Sequence, residues 1–389
     1  MRKVRHLFII VPSASMASPV KGAAALANAL IDEMPVSFVS LKPATEGFRF
    51  LDDRVERISL SESGAWPARL SALRRRMREA GGRPSVASVS FCLSADFINT
   101  CCRDLAITCT SVRGNLPEVY PETYGKIGKW IAVGHLNMLR RLDHVVSMTE
   151  SMSQQVQRYI GRPSPVISNF VDETLLAKFR SVGRPEGPLR IVFTGSMLPG
   201  KQPHLVLHAL RSLQERGLAV RLDAYGAGPL LSDLRQLVRT LPEPEAACFH
   251  GHVNEPYKEV SEADVLVLPS KTEGMSRSAL EALFLGVPCV MRDVDGNSEL
   301  IRPGVNGGLF RDDDQLTEVV LDTAEWSRKK ILNRACLLPR EFRQEAAAGN
   351  FLKLLNGEEM QCHPCARRSH DAAKNGSEST WNDNDDPPF

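Results

Sequence analysis

Glu273 and Glu281 stand eight positions apart in EGMSRSALE, on either side of a glycine and the start of a short helical pattern. Before them, Asp264 to Pro269 (DVLVLP) is a short apolar run rich in β-branched residues and closed by proline, which predicts a buried parallel strand. After the loop SKTEGM, Ser276 to Leu285 carries Ala279, Leu280, Ala282 and Leu283 at helical spacing and stops at Gly286-Val287-Pro288, a helix-ending sequence. Strand, loop and helix in that order build a crevice beyond the carboxyl end of an open α/β sheet, where the helix's free N–H groups face an anion. Glu273 then lies in the loop and Glu281 about one turn into the helix, whose side chains lean back toward its N-terminus. Carboxylates suit hydroxyl donors. One is expected to hold a transferred sugar and the other a ribose, while the amides of Gly274, Met275 and Ser276 face a diphosphate. The pattern fits a nucleotide-linked sugar. A second reading stays open, because Ser278 and Glu281 also satisfy the S-x-x-E capping box, in which the glutamate serves only its own helix.

Three further segments carry chemistry. Gly195 to Lys201 (GSMLPGK) follows a predicted strand and matches the G-x4-G-K part of a phosphate loop, but Gln202 stands where a nucleoside triphosphatase needs Ser or Thr for Mg²⁺. Lys201 is left as a cation at a strand end, or as a solvated surface lysine. The first strand ends in PSASMASPVKGAAALANAL, so Gly22 is expected immediately before an Ala/Leu-rich helix start whose amides meet phosphate oxygens, or as a turn residue only. Ser111-Val112-Arg113-Gly114-Asn115 follows the strand LAITCT, and Arg113 there suits a phosphate or an acceptor hydroxyl, or is a surface loop arginine.

From Leu189 to Phe310 five segments stand in order: IVFTGSMLPGK, LDAYGAGPLLSDL, FHGHV, ADVLVLPSKTEGMSRSALEALFLGVPCV and ELIRPGVNGGLF. Together they resemble the donor-binding half of the retaining family 4 glycosyltransferases (glycosyl transferases group 1), which share a Glu-x7-Glu signature. The resemblance continues more weakly through residues 1–188 and the helix near 340–356. It implies the GT-B fold, an α/β architecture of two Rossmann-like doubly wound domains facing across a cleft. It further implies a hexose donor linked to a nucleoside diphosphate, UDP above all, transferred with retention and without a metal or any cofactor beyond that co-substrate. The acceptor implied is a glycan or a lipid-linked saccharide in bacterial surface polysaccharide synthesis. On this resemblance Lys201 and Glu273 are catalytic. The donor is held by Gly22, Gly195, Ser196, Lys201, Glu273, Gly274, Met275, Ser276 and Glu281, and the acceptor or sugar by Arg113 and Asn115. The chain departs from the family pattern at Ser196, where an arginine is common, at Lys21, which replaces one of two loop glycines, and at Arg113, where many relatives carry a histidine. These departures keep a non-catalytic nucleotide-sugar-binding protein, and more distantly a P-loop NTPase, as alternatives.

The rest of the chain must position these residues. Its 389 residues are enough for two cores, its hydrophobic content of 43% is ordinary, and a net charge of +2 gives no reason to propose nucleic acid. Nine scattered cysteines predict a reduced, cytoplasmic chain, and the apolar stretch Leu7 to Val11 is too short for a signal peptide or membrane span. Strands are expected at Leu7–Val11, Val36–Leu41, Ser85–Cys92, Leu105–Cys109 and His144–Met148. A second series is expected at Arg190–Thr194, Val220–Tyr225, Ala247–His250, Val265–Leu268 and Pro288–Arg292. The expected division is an N-terminal acceptor-side domain at 1–178, a linker at 179–188, a nucleotide-sugar domain at 189–339, a helix at 340–356 crossing back to the first domain, and a disordered polar tail at 357–389. Within that tail, Cys362-His363-Pro364-Cys365 is too few ligands for a structural zinc site. Arg69 to Arg83 holds six arginines against one glutamate with Leu70, Leu73 and Met77 on one face. It is either a domain helix with a solvated basic face or a peripheral contact with an anionic inner membrane surface.

Overall fold

The structure is a computed structural model and describes residues 4–15, 17–43, 46–181, 183, 187–294, 296–330 and 335–360. Twelve strands form two sheets of six. The first contains β1 (His6–Val11), β2 (Val36–Ser40), β3 (Glu56–Ser59), β4 (Val86–Ser90), β5 (Ile107–Val112) and β6 (His144–Ser147), ordered β3-β2-β1-β4-β5-β6. The second contains β7 (Leu189–Thr194), β8 (Val220–Tyr225), β9 (Ala247–Gly251), β10 (Val265–Leu268), β11 (Cys289–Arg292) and β12 (Gly307–Phe310), ordered β9-β8-β7-β10-β11-β12. Every pairing is parallel. Both halves therefore wind in the same doubly wound order, and the order in which strands are added along the sheet reverses between β1 and β4 and again between β7 and β10, the places where such sheets open a ligand crevice.

Side chains on a strand alternate between faces, and both faces here are covered. In β1, Leu7, Ile9 and Val11 pack toward helix Ser18–Leu30, while Phe8 and Ile10 pack toward helices Trp66–Glu79 and Leu93–Thr100. The core of the second half is continuous with Met148, Met152 and Val156 of the first, which closes the base of the cleft between them. Helix Gln344–Leu355 returns to the first half: Phe351 and Leu355 are buried in its core, Gln344 Nε2 donates to the Ala25 carbonyl (3.0 Å), and Val4 N donates to Asn356 Oδ1 (2.8 Å).

Two strands were not expected from sequence. β3 (ERIS) is a four-residue edge strand with both its leading residues exposed, and β12 (GGLF) begins with two glycines, which carry no strand propensity. Gly307 is needed there because a methyl group would overlap the Cys289 carbonyl of the adjacent strand. The expected Leu105–Cys109 strand is displaced forward, to Ile107–Val112. Residues 361–389, including Cys362 to Cys365, lie outside the described residues, as do residues 182 and 184–186 of the expected linker. No helix among the described residues is long and apolar enough to cross a membrane.

Candidate active site

The loops after β1, β5, β7 and β10 meet in the cleft. After β7 the chain makes the short 3-10 turn Pro199–Lys201, and Gln202 adopts a left-handed φ of 46° before helix Pro203–Glu215. After β10, Lys271 N donates to the Gly200 carbonyl (2.9 Å), which fixes the two loops against each other. Lys201 Nζ and Glu273 Oε1 are then 2.5 Å apart, and Ser270 Oγ donates to the same carboxylate oxygen at 2.9 Å. Glu273 is largely buried, its side chain 11% exposed against 32% for Lys201, so the lysine presents the open side of the pair.

Ser276 caps helix Arg277–Phe284, its hydroxyl accepting from Ala279 N at 3.4 Å. This decides the capping question: Ser278 is not the cap, and Glu281 is the helix's fifth residue, bonded by Arg277 Nε (2.9 Å) and approached by Tyr257 OH (3.5 Å). Burial, then the Glu281 charge, pushes the Tyr257 hydroxyl well above its usual range. Among the described residues, the amides of Gly274, Met275 and Ser276 donate to no backbone carbonyl. The Met275 side chain is buried, and its carbonyl accepts from Asn169 Nδ2 (3.4 Å) across the cleft.

Gly22 is not a helix-entry residue. Its helix begins at Ser18, which puts Gly22 in the second turn, past the free amides. Its missing side chain serves another purpose, since a methyl group there would overlap the Arg113 guanidinium. Arg113 Nη1 donates to Asn169 Oδ1 (2.7 Å) and the guanidinium lies 4.7 Å from the Phe91 ring centroid, while Nε is buried without a partner. Burial, then the neighbouring charge of Arg277, lowers its pKa to about 9. Asn115 is not brought to the cavity: it stands at the N-cap of helix Leu116–Tyr124, and its Oδ1 accepts from Gln155 Nε2 (2.7 Å). The Gly195 amide is spent on the Tyr225 carbonyl (3.0 Å), whereas Ser196 is exposed beside it.

These residues surround two adjoining cavities. An inner one of about 290 Å³ is lined by Arg113, Asn169, Ser196, Lys201, Glu273 and Arg277 among others. An outer one of about 250 Å³ is lined by Lys21, Tyr225, Asn254, Tyr257 and Glu281. Thr194, Gly195, Ser196, Arg277 and Ser278 border both. A larger open depression of about 1030 Å³ lies behind helix Ser18–Leu30, away from the carboxyl ends of the strands, with Arg54 there already paired to Asp32 and Asp52. The chemistry belongs to the smaller pair. Their walls hold four cations, Lys21, Arg113, Lys201 and Arg277, against two carboxylates, so the cleft is electropositive. Lys201 and Arg277 have those carboxylates as partners; Arg113 has an amide.

Lys21, Asn169, Tyr257 and Arg277 were not singled out as site residues from sequence. Lys21 Nζ donates to the Asn254 carbonyl (2.8 Å), and burial lowers its pKa. Only its place beside Gly22 in the first loop hinted at it. The basic stretch from Arg69 to Arg83 is mostly engaged: Arg74 pairs with Asp104 (2.6 Å), Arg76 with Glu56 (2.7 Å) and Arg83 with Asp143 (3.0 Å), while Leu73 and Met77 are buried.

Facing doubly wound domains with this cleft define the GT-B architecture. Among solved structures the chain superimposes on the Anabaena protein HepE in complex with UDP-glucose (TM-score 0.72, 14% identity, 90% of this chain and 99% of that one). It also superimposes on sucrose-phosphate synthase from Thermosynechococcus elongatus (TM-score 0.71, 16% identity, 91% and 99%). Residues 188–325, within the second domain, match the family model for glycosyl transferases group 1. Among curated relatives, a Salmonella typhimurium protein assigned as the colanic acid biosynthesis glycosyltransferase WcaL is 29% identical over 193 residues, 45% of this chain and 47% of that protein. The Escherichia coli UDP-Gal:alpha-D-GlcNAc-diphosphoundecaprenol alpha-1,3-galactosyltransferase is 28% identical over 152 residues, 37% and 39% of the two chains. The match thus spans about half the length, or less, of these two relatives.

Proposed function

We propose that this chain is a retaining glycosyltransferase that moves a hexose-type sugar from UDP to a glycan or lipid-linked saccharide in surface polysaccharide synthesis. The observation that carries the reading is the Lys201–Glu273 pair, set at the β7/β10 reversal with Arg113 opposite it and Glu281 in the adjoining cavity. The outer cavity suits the nucleoside, with Glu281 on the ribose hydroxyls. The inner one suits the sugar, with Glu273 on its hydroxyls. The diphosphate lies over Ser196 and the amides of Gly274 to Ser276, between Lys201 and Arg113. In the reaction the bond from the sugar's anomeric carbon to the β-phosphate oxygen breaks as the acceptor hydroxyl bonds to that carbon from the same face, and its proton passes to the departing phosphate. The protein's share is positioning and compensation of the leaving charge, which side-chain cations supply without a metal or further cofactor. Arg113 replaces the missing cation at Ser196 in this scheme.

The relatives' names support a surface-polysaccharide role and a lipid-linked acceptor. A nucleoside triphosphatase is disfavoured because Gln202 Oε1 accepts from Arg292 Nη2 (3.1 Å) and the following helix opens with Pro203, which has no N–H to offer. The test is incubation of the purified chain with radiolabelled UDP-hexoses and a membrane extract, with and without EDTA, followed by determination of the product's anomeric configuration. Label transfer that survives EDTA and keeps the donor's configuration is expected; UDP binding with no transfer would instead identify a non-catalytic binder.

A further inference from the structure

Away from the cleft, Tyr124, Ile127 and Trp130 follow one another at spacings of three residues and are 43%, 62% and 79% exposed. They occupy the tip of a helical hairpin made by Leu116–Tyr124, the 3-10 turn Gly125–Ile127 and Gly128–Leu139. Single apolar side chains on a surface are ordinary, but three in register ending on a tryptophan are not. The tip also holds Lys126 and Lys129, both exposed, and between Tyr124 and Trp130 there is no carboxylate.

The hairpin is fixed from within. Gly128 meets the Tyr120 backbone so closely that a methyl group would overlap it. Tyr120 OH is hydrogen-bonded to His135 Nδ1 (2.7 Å), and His135 Nε2 to Asp96 Oδ2 (2.8 Å), all three residues buried. Asp96 Oδ1 in turn accepts from Ser90 Oγ and Thr110 Oγ1, both at 2.6 Å. A satisfied buried relay of this kind holds one arrangement, and it leaves the apolar tip facing outward. Phe97, next to Asp96, is a fourth exposed apolar side chain, at 56% exposure.

Tryptophan, tyrosine and a branched aliphatic interleaved with lysine is the composition of a segment lying in a lipid interface, whereas protein interfaces are depleted of lysine. Two free ammonium groups complement an anionic surface, and the basic helix Trp66–Glu79, the rival candidate, has several of its guanidiniums committed to carboxylates. The hairpin also starts directly after the Arg113 to Asn115 loop, so the tip is tied to the cleft by a single helix.

We propose that the 124–130 hairpin tip is an interfacial anchor that seats the first domain on a bilayer containing anionic lipid. Anchoring does not depend on the donor reading; only its use, presenting the cleft to an acceptor whose lipid stays in the membrane, rests on the function proposed above. The test is co-sedimentation of the full chain with vesicles of phosphatidylcholine alone or mixed with phosphatidylglycerol. The parent protein should bind the mixed vesicles, and Ile127→Ser/Trp130→Ala should lower that affinity roughly tenfold or more. Lys126→Gln/Lys129→Gln should remove the preference for phosphatidylglycerol. An unchanged thermal midpoint and UDP affinity in the variants show that the fold is kept. Parent protein that stays in the supernatant, or an apolar variant that sediments like the parent, overturns the proposal. So does a parent dimer that the apolar variant dissolves, because the tip would then cover a second copy.

Discussion

At the scale of single residues, the cleft's charges are unequal in kind. Lys201 and Arg277 meet carboxylates at 2.5 and 2.9 Å, while Arg113 meets an amide oxygen and a ring. A cation taken out of water without a counter-ion is costly, and an arriving diphosphate removes that cost. Arg113→Gln should therefore weaken UDP roughly 10- to 100-fold by titration calorimetry, yet leave uridine, which lacks the diphosphate, unchanged. Equal loss for both ligands would mean that Arg113 only braces the cleft through Asn169. Lys201→Ala should cut transfer by about 100-fold or more while the protein melts as before, since the lysine acts on leaving-group charge and lies partly in solvent. Glu273, Glu281 and Lys201 were legible because each sits at a strand end or helix start that the apolar pattern itself announces. Asn169 and Lys21 were not: neither residue type signals a role until the fold brings it beside a partner more than a hundred residues away.

At the scale of elements, what joins the two halves is a set of backbone contacts as much as side chains. The amide of Glu150, the first residue of helix Glu150–Ile160, donates to both oxygens of Glu299 from the second domain (2.9 and 3.2 Å), and Gly296 leaves no room for a side chain against Thr149. Burial raises Glu299 from 4.5 to about 7, against the amide hydrogen bonds that favour its ionised form. A raised folded-state pKa means that this group's contribution is fully present below the unfolded pKa and is lost as pH climbs through the folded one. Wild-type stability should therefore fall relative to Glu299→Gln between about pH 4.5 and 7, by at most about 3 kcal/mol, and stay level above that. Thermal melts of both proteins across that range check it, and parallel curves would show that Glu299 titrates normally. Elements were readable where they were buried and long. β1, β2, β4, β7 and β8 announced themselves, while β3 was hidden by its exposed edge and β12 by its glycines. The early start of helix Ser18–Leu30 was hidden as well, because Pro19 reads as a loop residue when it is a first-turn proline.

At the scale of the molecule, the returning helix Gln344–Leu355 ties the second domain to the first through Phe351, which is 1% exposed in the core beside helix Ser18–Leu30. Phe351→Ala should cost about 3 to 5 kcal/mol of stability in urea unfolding followed by circular dichroism. A smaller loss, under about 1 kcal/mol, would show that the helix is not held by its apolar face. What the amino-acid sequence determined by itself was local: apolar runs that must be parallel strands, and the carboxylates and lysine at their ends. Those follow from periodicity and turn chemistry, which act over a few residues. Only the tertiary structure decided that Gly22 makes room for Arg113, that Asn115 turns from the cavity, and that Tyr124, Ile127 and Trp130 face outward. Each of these is a matter of which distant surface a side chain meets. Spacing along the chain carries no information about that until both domains are packed.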